Sequence, residues 1–277
     1  MSQWFIQLQN LLPQHLLSRS VGALAKSEVP WVKDLFIESF AKAYKISLEE
    51  AELDDFGAYR SFNDFFTRAL QIDARTQPSD PLAITSPADG VVSQVGNIEA
   101  DCLLQAKGHR YSLSSLAGQL GKGFENGSFC TIYLAPNDYH RVHAPFGGTL
   151  TDTLAMPGAL FSVNGITEAG IEGLFCRNER LVCRFDTEFG PMLTVLVGAL
   201  IVASIETDWS GPESPYRIEE HSTYNLNYER GEEIGRFLLG STVICCFPKD
   251  TMTFNPGIET GARVLMGDTL GLLNQAG

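Results

Sequence analysis

The sequence predicts an α+β protein: an N-terminal helical region followed by a β-rich sandwich or barrel-like domain. Three observations carry that expectation. Apolar residues up to about Leu70 recur at three and four, the period of an amphipathic helix. A proline-rich stretch, Gln77-Pro78-Ser79-Asp80-Pro81, then marks a change of texture. Beyond it, short apolar or alternating runs are punctuated by Asp89-Gly90, Asn126-Gly127, Gly147-Gly148 and Asn164-Gly165, the turn chemistry of many short strands. The expected division is 1–72 helical and 73–277 β-rich.

The helical elements follow in order. Trp4, Phe5, Leu8, Leu11, Leu12, Leu16 and Leu17 form one apolar set, with Pro13 breaking it into two short helices. A second helix is expected over Trp31–Tyr44, with Trp31, Leu35, Phe36 and Phe40 on one face. A third is suggested at Ser47-Leu48-Glu49-Glu50, where Ser47 can cap the start. A fourth follows Ser61, with Asp64 at the capping-box position.

The chain has 277 residues and a net charge of -13, which argues against a phosphate-backbone partner. The acidity is uneven. Met1 to Ser27 contains no Asp or Glu but carries Arg19 and Lys26, so this is the part suited to an anionic surface. Its apolar residues have two readings, packing on the protein body or lying in a membrane interface. Phe189 to Ile205 is uncharged, yet Pro191, Gly198 and abundant Val, Ile and Thr favour two buried strands over a spanning helix. The six cysteines form no C-x-x-C and read as buried, reduced thiols.

The chemistry concentrates at three places. Leu239-Gly240-Ser241-Thr242 enters an apolar run, Val243 to Phe247. A serine Oγ beside an unhindered glycine carbonyl can attack its own peptide bond if a base and an oxyanion hole are supplied. Asp138-Tyr139-His140-Arg141-Val142-His143 holds two of the five histidines. Their spacing could serve acid–base work or a metal pair, but no third ligand follows and no metal is assigned. Ser86-Pro87-Ala88-Asp89-Gly90 offers an aspartate ahead of the histidines and the serine, or simply a turn.

These segments carry a resemblance. The ordered set Tyr59-Arg60-Ser61-Phe62-Asn63, Pro87-Ala88-Asp89-Gly90, Gln105-Ala106-Lys107-Gly108-His109, Asp138 to His143, Leu160-Phe161-Ser162-Val163-Asn164, Arg177-Asn178-Glu179-Arg180, Phe185 to Pro191, Ser204 to Thr207 and Leu239-Gly240-Ser241-Thr242 covers most of the chain. It resembles the bacterial phosphatidylserine decarboxylase proenzymes. The resemblance implies self-cleavage between Gly240 and Ser241 into chains 1–240 and 241–277. Ser241 attacks the Gly240 carbonyl, and β-elimination and loss of ammonia leave a pyruvoyl group, the covalent cofactor. His143 matches the family's processing base and Asp89 its orienting partner. His140 matches the histidine of the second stage and is assigned to protonation.

The resemblance further implies that the pyruvoyl carbonyl forms a Schiff base with phosphatidylserine, yielding phosphatidylethanolamine and carbon dioxide. It also implies peripheral attachment to the cytoplasmic face of the cell membrane, with Trp4, Phe5, Leu8 and Leu12 inserting, and a homodimer. Two other readings are a Ser-His-Asp hydrolase using Ser241, His143 and Asp89 without self-cleavage, and a membrane-recruited binding module. A G-x-S-x-G elbow is absent, and the binding module leaves the Gly-Ser bond unexplained.

Overall fold

The computed structural model describes residues 4, 6, 7, 9, 14–200, 205–213, 216–238 and 241–274. Helix α1 spans Gln14–Ala25 and α2 spans Pro30–Tyr44. Proline at the first position of α2 suits a site whose N–H would have no partner, and Lys45 closes it in the left-handed conformation, φ 54°. Residues 46–50 form no helix: Ser47 Oγ accepts the Glu49 N–H at 3.2 Å, making a turn instead of a cap. Helix α3 is Phe62–Phe66, capped by Ser61, whose hydroxyl accepts the Asp64 N–H at 3.2 Å. Asp64 reaches back one residue beyond the cap, to the Arg60 N–H at 2.9 Å.

The expected face of α2 is corrected. Ile37 and Ala41 are buried and Phe36 and Phe40 pack beside them, whereas Trp31 is 72% exposed and Leu35 also points outward. The inward stripe is set by Phe62 and Phe66, whose rings meet Phe40 edge-on at 5.0 and 5.8 Å. Phe62, Phe65 and Phe66 are fully buried, each contributing about 1.5–3 kcal/mol of transfer free energy.

The strands follow in order: β1 Ala83–Thr85, β2 Gly90–Asn97, β3 Cys102–Leu104, β4 Arg110–Ser112, β5 Ser128–Leu134, β6 Arg141–His143 and β7 Gly148–Met156. They continue as β8 Arg180–Thr187, β9 Gly190–Val197, β10 Ile205–Thr207, β11 Gly211–Glu213, β12 Glu220–Tyr228 and β13 Glu233–Phe237. The last are β14 Ser241–Phe247, β15 Met252–Phe254, β16 Arg263–Val264 and β17 Thr269–Leu273. An eight-stranded antiparallel sheet runs β12-β7-β8-β9-β14-β5-β2-β16, and a four-stranded sheet runs β11-β10-β13-β6. A three-stranded sheet, β1-β17-β15, and the β3-β4 hairpin complete the set.

The central strands β9, β14 and β5 are buried on both faces, which explains their near-continuous apolar runs. Alternation divides the core into two layers. Phe129, Val195, Ile244 and Cys246 face the helices and share a cluster with Ile37 and Phe62. Cys130, Ile132, Val243 and Cys245 face the smaller sheets, with Val142, Ile234 and Phe237. Within the uncharged run, Gly190–Val197 is one strand and Ile205 opens another; residues 201–204 lie outside the described set. No described helix is long and apolar enough to cross a membrane. The cysteines are unpaired, and four of them, Cys130, Cys183, Cys245 and Cys246, are buried.

Candidate active site

The two histidines are carried by one short segment that leaves β5, turns, and enters β6. Asp138 makes the turn. Its N–H donates to the Ala135 carbonyl at 2.9 Å, and its carboxylate accepts the Ala135 N–H at 2.7 Å and Arg263 Nη2 at 2.6 Å. The turn fixed in this way delivers Tyr139 and His140 to the interior, where both are buried.

His140 is fully enclosed. Its ring stacks on Phe66 with centroids 4.0 Å apart and planes at 24°. Nε2 donates to the Ala135 carbonyl at 3.0 Å, so the neutral ring carries its proton there and leaves Nδ1 as the lone pair. Nδ1 has no hydrogen-bond partner among the described residues. Burial, reinforced by the positive charge of Arg68 and only partly opposed by the Ala135 and Pro136 carbonyls, drives the pKa down to about 3. At neutral pH this group is an uncharged imidazole with a free acceptor.

His143 is held differently. Its Nδ1–H donates to the Gly231 carbonyl at 2.8 Å, and Nε2 accepts the Tyr139 hydroxyl at 3.0 Å. Burial lowers its pKa as well, with the Gly231 carbonyl acting in the opposite direction. Burial also raises the Tyr139 pKa, so the phenol keeps its proton and is the donor in this pair. Gly231 sits at φ 82°, in the turn between β12 and β13, a conformation open to glycine.

Asp89 lies beside this pair without touching His143. The segment is adjacent, since the His143 N–H donates to the Pro87 carbonyl at 2.8 Å. The Asp89 carboxylate, however, takes Arg75 through Nε at 3.1 Å and Nη2 at 2.5 Å, and the Met266 N–H at 2.8 Å. The His143 Nδ1–H thus goes to Gly231 and the Asp89 carboxylate to Arg75 and the Met266 N–H, and Asp89 acts on His143 through its charge, which raises the pKa of the ring.

Ser241 opens β14 opposite Leu134. Gly240 lies outside the described residues, but both of its described flanks are tied to the histidine segment. Phe237 donates its N–H to the His140 carbonyl at 2.9 Å, and Ser241 registers against the residue just before Ala135, the carbonyl that holds His140. The junction is bracketed by the segment that carries both histidines.

The same end of the sheet holds one buried acid without an assigned role. Arg180 pairs with Val197, which pairs with Thr242, so Glu179 lies one residue beyond this row. It is 2% exposed, accepts the Tyr216 N–H at 2.9 Å, and burial pushes its pKa up to about 7. In the sequence Glu179 stands out only as part of a motif, and nothing local marks Phe66, Arg68, Arg75 or Tyr139; the signal available for Gly231 was a glycine in a turn between strands.

Of the residues expected at a membrane, Trp4 is 68% exposed, while Phe5, Leu8 and Leu12 lie outside the described residues. Gln9 and Gln14 tie this end of the chain to the body, accepting the N–H groups of Ser162 at 2.8 Å and Leu160 at 2.7 Å.

A family model described as phosphatidylserine decarboxylase matches residues 62–272, and a second, described as PSD, matches residues 4–45. A phosphatidylserine decarboxylase proenzyme of Alcanivorax borkumensis is 52% identical over 96% of this chain and 95% of its own length. Proteins of the same description from Pseudomonas aeruginosa, 48% identical over 98% of both chains, and Acinetobacter baumannii, 50% identical over 96% and 95%, are similar to the same extent.

Proposed function

The chain belongs to the phosphatidylserine decarboxylase family and is a carboxy-lyase, and from that premise we propose that it cleaves itself at Gly240-Ser241 and decarboxylates phosphatidylserine with the pyruvoyl group so formed. The observation that carries the proposal is the bracketing of this junction by the segment bearing His140 and His143.

In processing, His143 is the proton acceptor for the Ser241 hydroxyl. It is neutral, its Nδ1–H is fixed by Gly231, and the Nε2 lone pair is the free base, shielded by the Tyr139 hydroxyl. The proton it takes returns to the amide nitrogen that leaves Gly240 as the serine oxygen takes its place. Asp89, paired with Arg75, acts on His143 through its charge, which favours the protonated form of the histidine.

The pyruvoyl carbonyl supplies the electron sink into which the electrons left by departing carbon dioxide are drawn. The fit to this chain lies in the unpartnered Nδ1 of His140. A buried ring nitrogen with no donor of its own is suited to hold the proton that is delivered to the substrate α-carbon once carbon dioxide has left. The low pKa of His140 makes it a weak base and a correspondingly willing donor once protonated.

The substrate sits in a bilayer, so the enzyme works at an interface, on the cytoplasmic face of the cell membrane in this proposal. Exposed Trp4, Trp31 and Leu35 at the helical end support that placement. The test is intact mass under denaturing conditions. Active protein should give chains 1–240 and 241–277, the smaller with a blocked N-terminus. A single full-length chain that decarboxylates phosphatidylserine would overturn the proposal.

A further inference from the structure

Arg68 is a buried cation that the site described above leaves unused. It follows α3, is 6% exposed, and borders a cavity of about 310 Å³ between residues 45–51 and the loop before His140. Nη2 donates to the carbonyls of Asn137 at 3.2 Å and Asp138 at 3.4 Å. Nη1 is buried and has no hydrogen-bond partner, and no carboxylate among the described residues forms an ion pair with Arg68. The other buried charges around the cavity are matched: Arg75 takes Asp89 and Glu50, and Arg263 takes Asp138. Lys45 and Glu49 stand exposed at the rim.

A buried guanidinium with an unused donor is costly, and guanidinium N–H groups pair strongly with the oxygens of an anion. An anion that enters the cavity would be drawn to Arg68. If the substrate is a serine phospholipid, its headgroup offers two: the phosphodiester and the α-carboxylate. The carboxylate must lose its charge as carbon dioxide departs, so a buried arginine on it would stabilise the ground state more than the transition state. The phosphodiester keeps its charge throughout. Arg68 also holds the loop that ends in His140, and its charge is felt there, so an anion on Arg68 is anchored beside the group that handles the substrate proton. We infer that Arg68 binds the phosphodiester of the substrate headgroup. The inference rests on the proposed substrate and concerns binding, not the decarboxylation step.

The test uses the full-length Ser241→Ala precursor, which needs no processing, so its outcome is separate from that of the mass measurement above. Isothermal titration calorimetry is run with three probes: glycerophosphoserine, glycerophosphoethanolamine and free serine. Arg68→Gln should weaken both phosphodiesters alike, by about tenfold or more for one charge-assisted pair, and leave serine unchanged. Arg68→Lys, which keeps the charge but loses the fork, should fall between. Near-ultraviolet circular dichroism of each variant establishes that it is folded, and Arg68→Lys serves if Arg68→Gln is not. Loss confined to the carboxylate-bearing probes, equal affinity in parent and variants, or no binding of either phosphodiester to the parent would each overturn the inference.

Discussion

His140 and His143 are three residues apart, yet their surroundings differ in the way that matters for proton transfer. His143 has both nitrogens engaged, one by a carbonyl and one by a phenol. His140 has one nitrogen tied and one left open, in a fully buried slot against Phe66. The first arrangement holds a neutral ring whose lone pair is covered by the phenol, and the second leaves an acceptor with no donor of its own. Two imidazoles three residues apart are thus set in different surroundings by what closes around each ring, and the proposed division of labour rests on that difference.

The largest effect expected is upstream of both. Ser241→Ala should abolish cleavage and decarboxylation together, and decarboxylation by this variant would remove the basis for dividing the work between the histidines. Next comes the division itself. His143→Ala should slow the appearance of the two chains by about 10²–10⁴-fold, the usual worth of a general base, followed by gel densitometry over time. His140→Ala should still yield two chains while losing a comparable factor in carbon dioxide release. If His140→Ala fails to process, the roles are exchanged or shared.

A smaller change sharpens the contrast. Tyr139→Phe removes only the hydroxyl that guards His143 Nε2; a single neutral hydrogen bond is worth about 0.5–1.5 kcal/mol. Processing should change by less than about tenfold on that scale, and the decarboxylation rate of the cleaved enzyme should be unaffected. A large loss in the second stage would tie Tyr139 to His140 instead.

The smallest effect is on stability. The His140 pKa is depressed to about 3 in the folded chain, against an ordinary value of 6.5. Below 6.5 the unfolded chain binds a proton that the folded one refuses, so the contribution of this group is complete above 6.5 and is lost as pH falls toward 3. His140→Gln should lower Tm at pH 7.5, and the gap to the parent should narrow at pH 5. A gap that widens on acidification would mean that His140 is charged in the folded state.

Much of this molecule was legible before its structure. Apolar periodicity located the helices around Trp31–Tyr44 and after Ser61, and turn dipeptides marked the change to strands, because both signals are local. Periodicity did not say which side of α2 faces inward. Trp31 and Leu35 fall on an apolar face, but only Phe62 and Phe66, folded back against the helix, decide that Ile37 and Ala41 are the buried ones. Ser47 failed as a cap for a related reason. Its hydroxyl bonds locally in either a turn or a helix start, and no apolar stripe follows to favour the helix.

The residues of the chain, taken in order, determined its family and singled out Gly240-Ser241 and the two histidines as candidates, since these depend on residue type and short spacing. The tertiary structure alone decided the partners. Gly231, 88 residues beyond His143, supplies the carbonyl that accepts its Nδ1–H, and Arg75 takes the carboxylate of Asp89. Burial against Phe66, with the charge of Arg68 nearby, keeps His140 neutral, while the Ala135 carbonyl fixes which ring nitrogen carries the proton. Hydrogen bonds and desolvation act over a few ångströms in space, whatever the separation along the chain, so a motif can name its groups without naming what surrounds them.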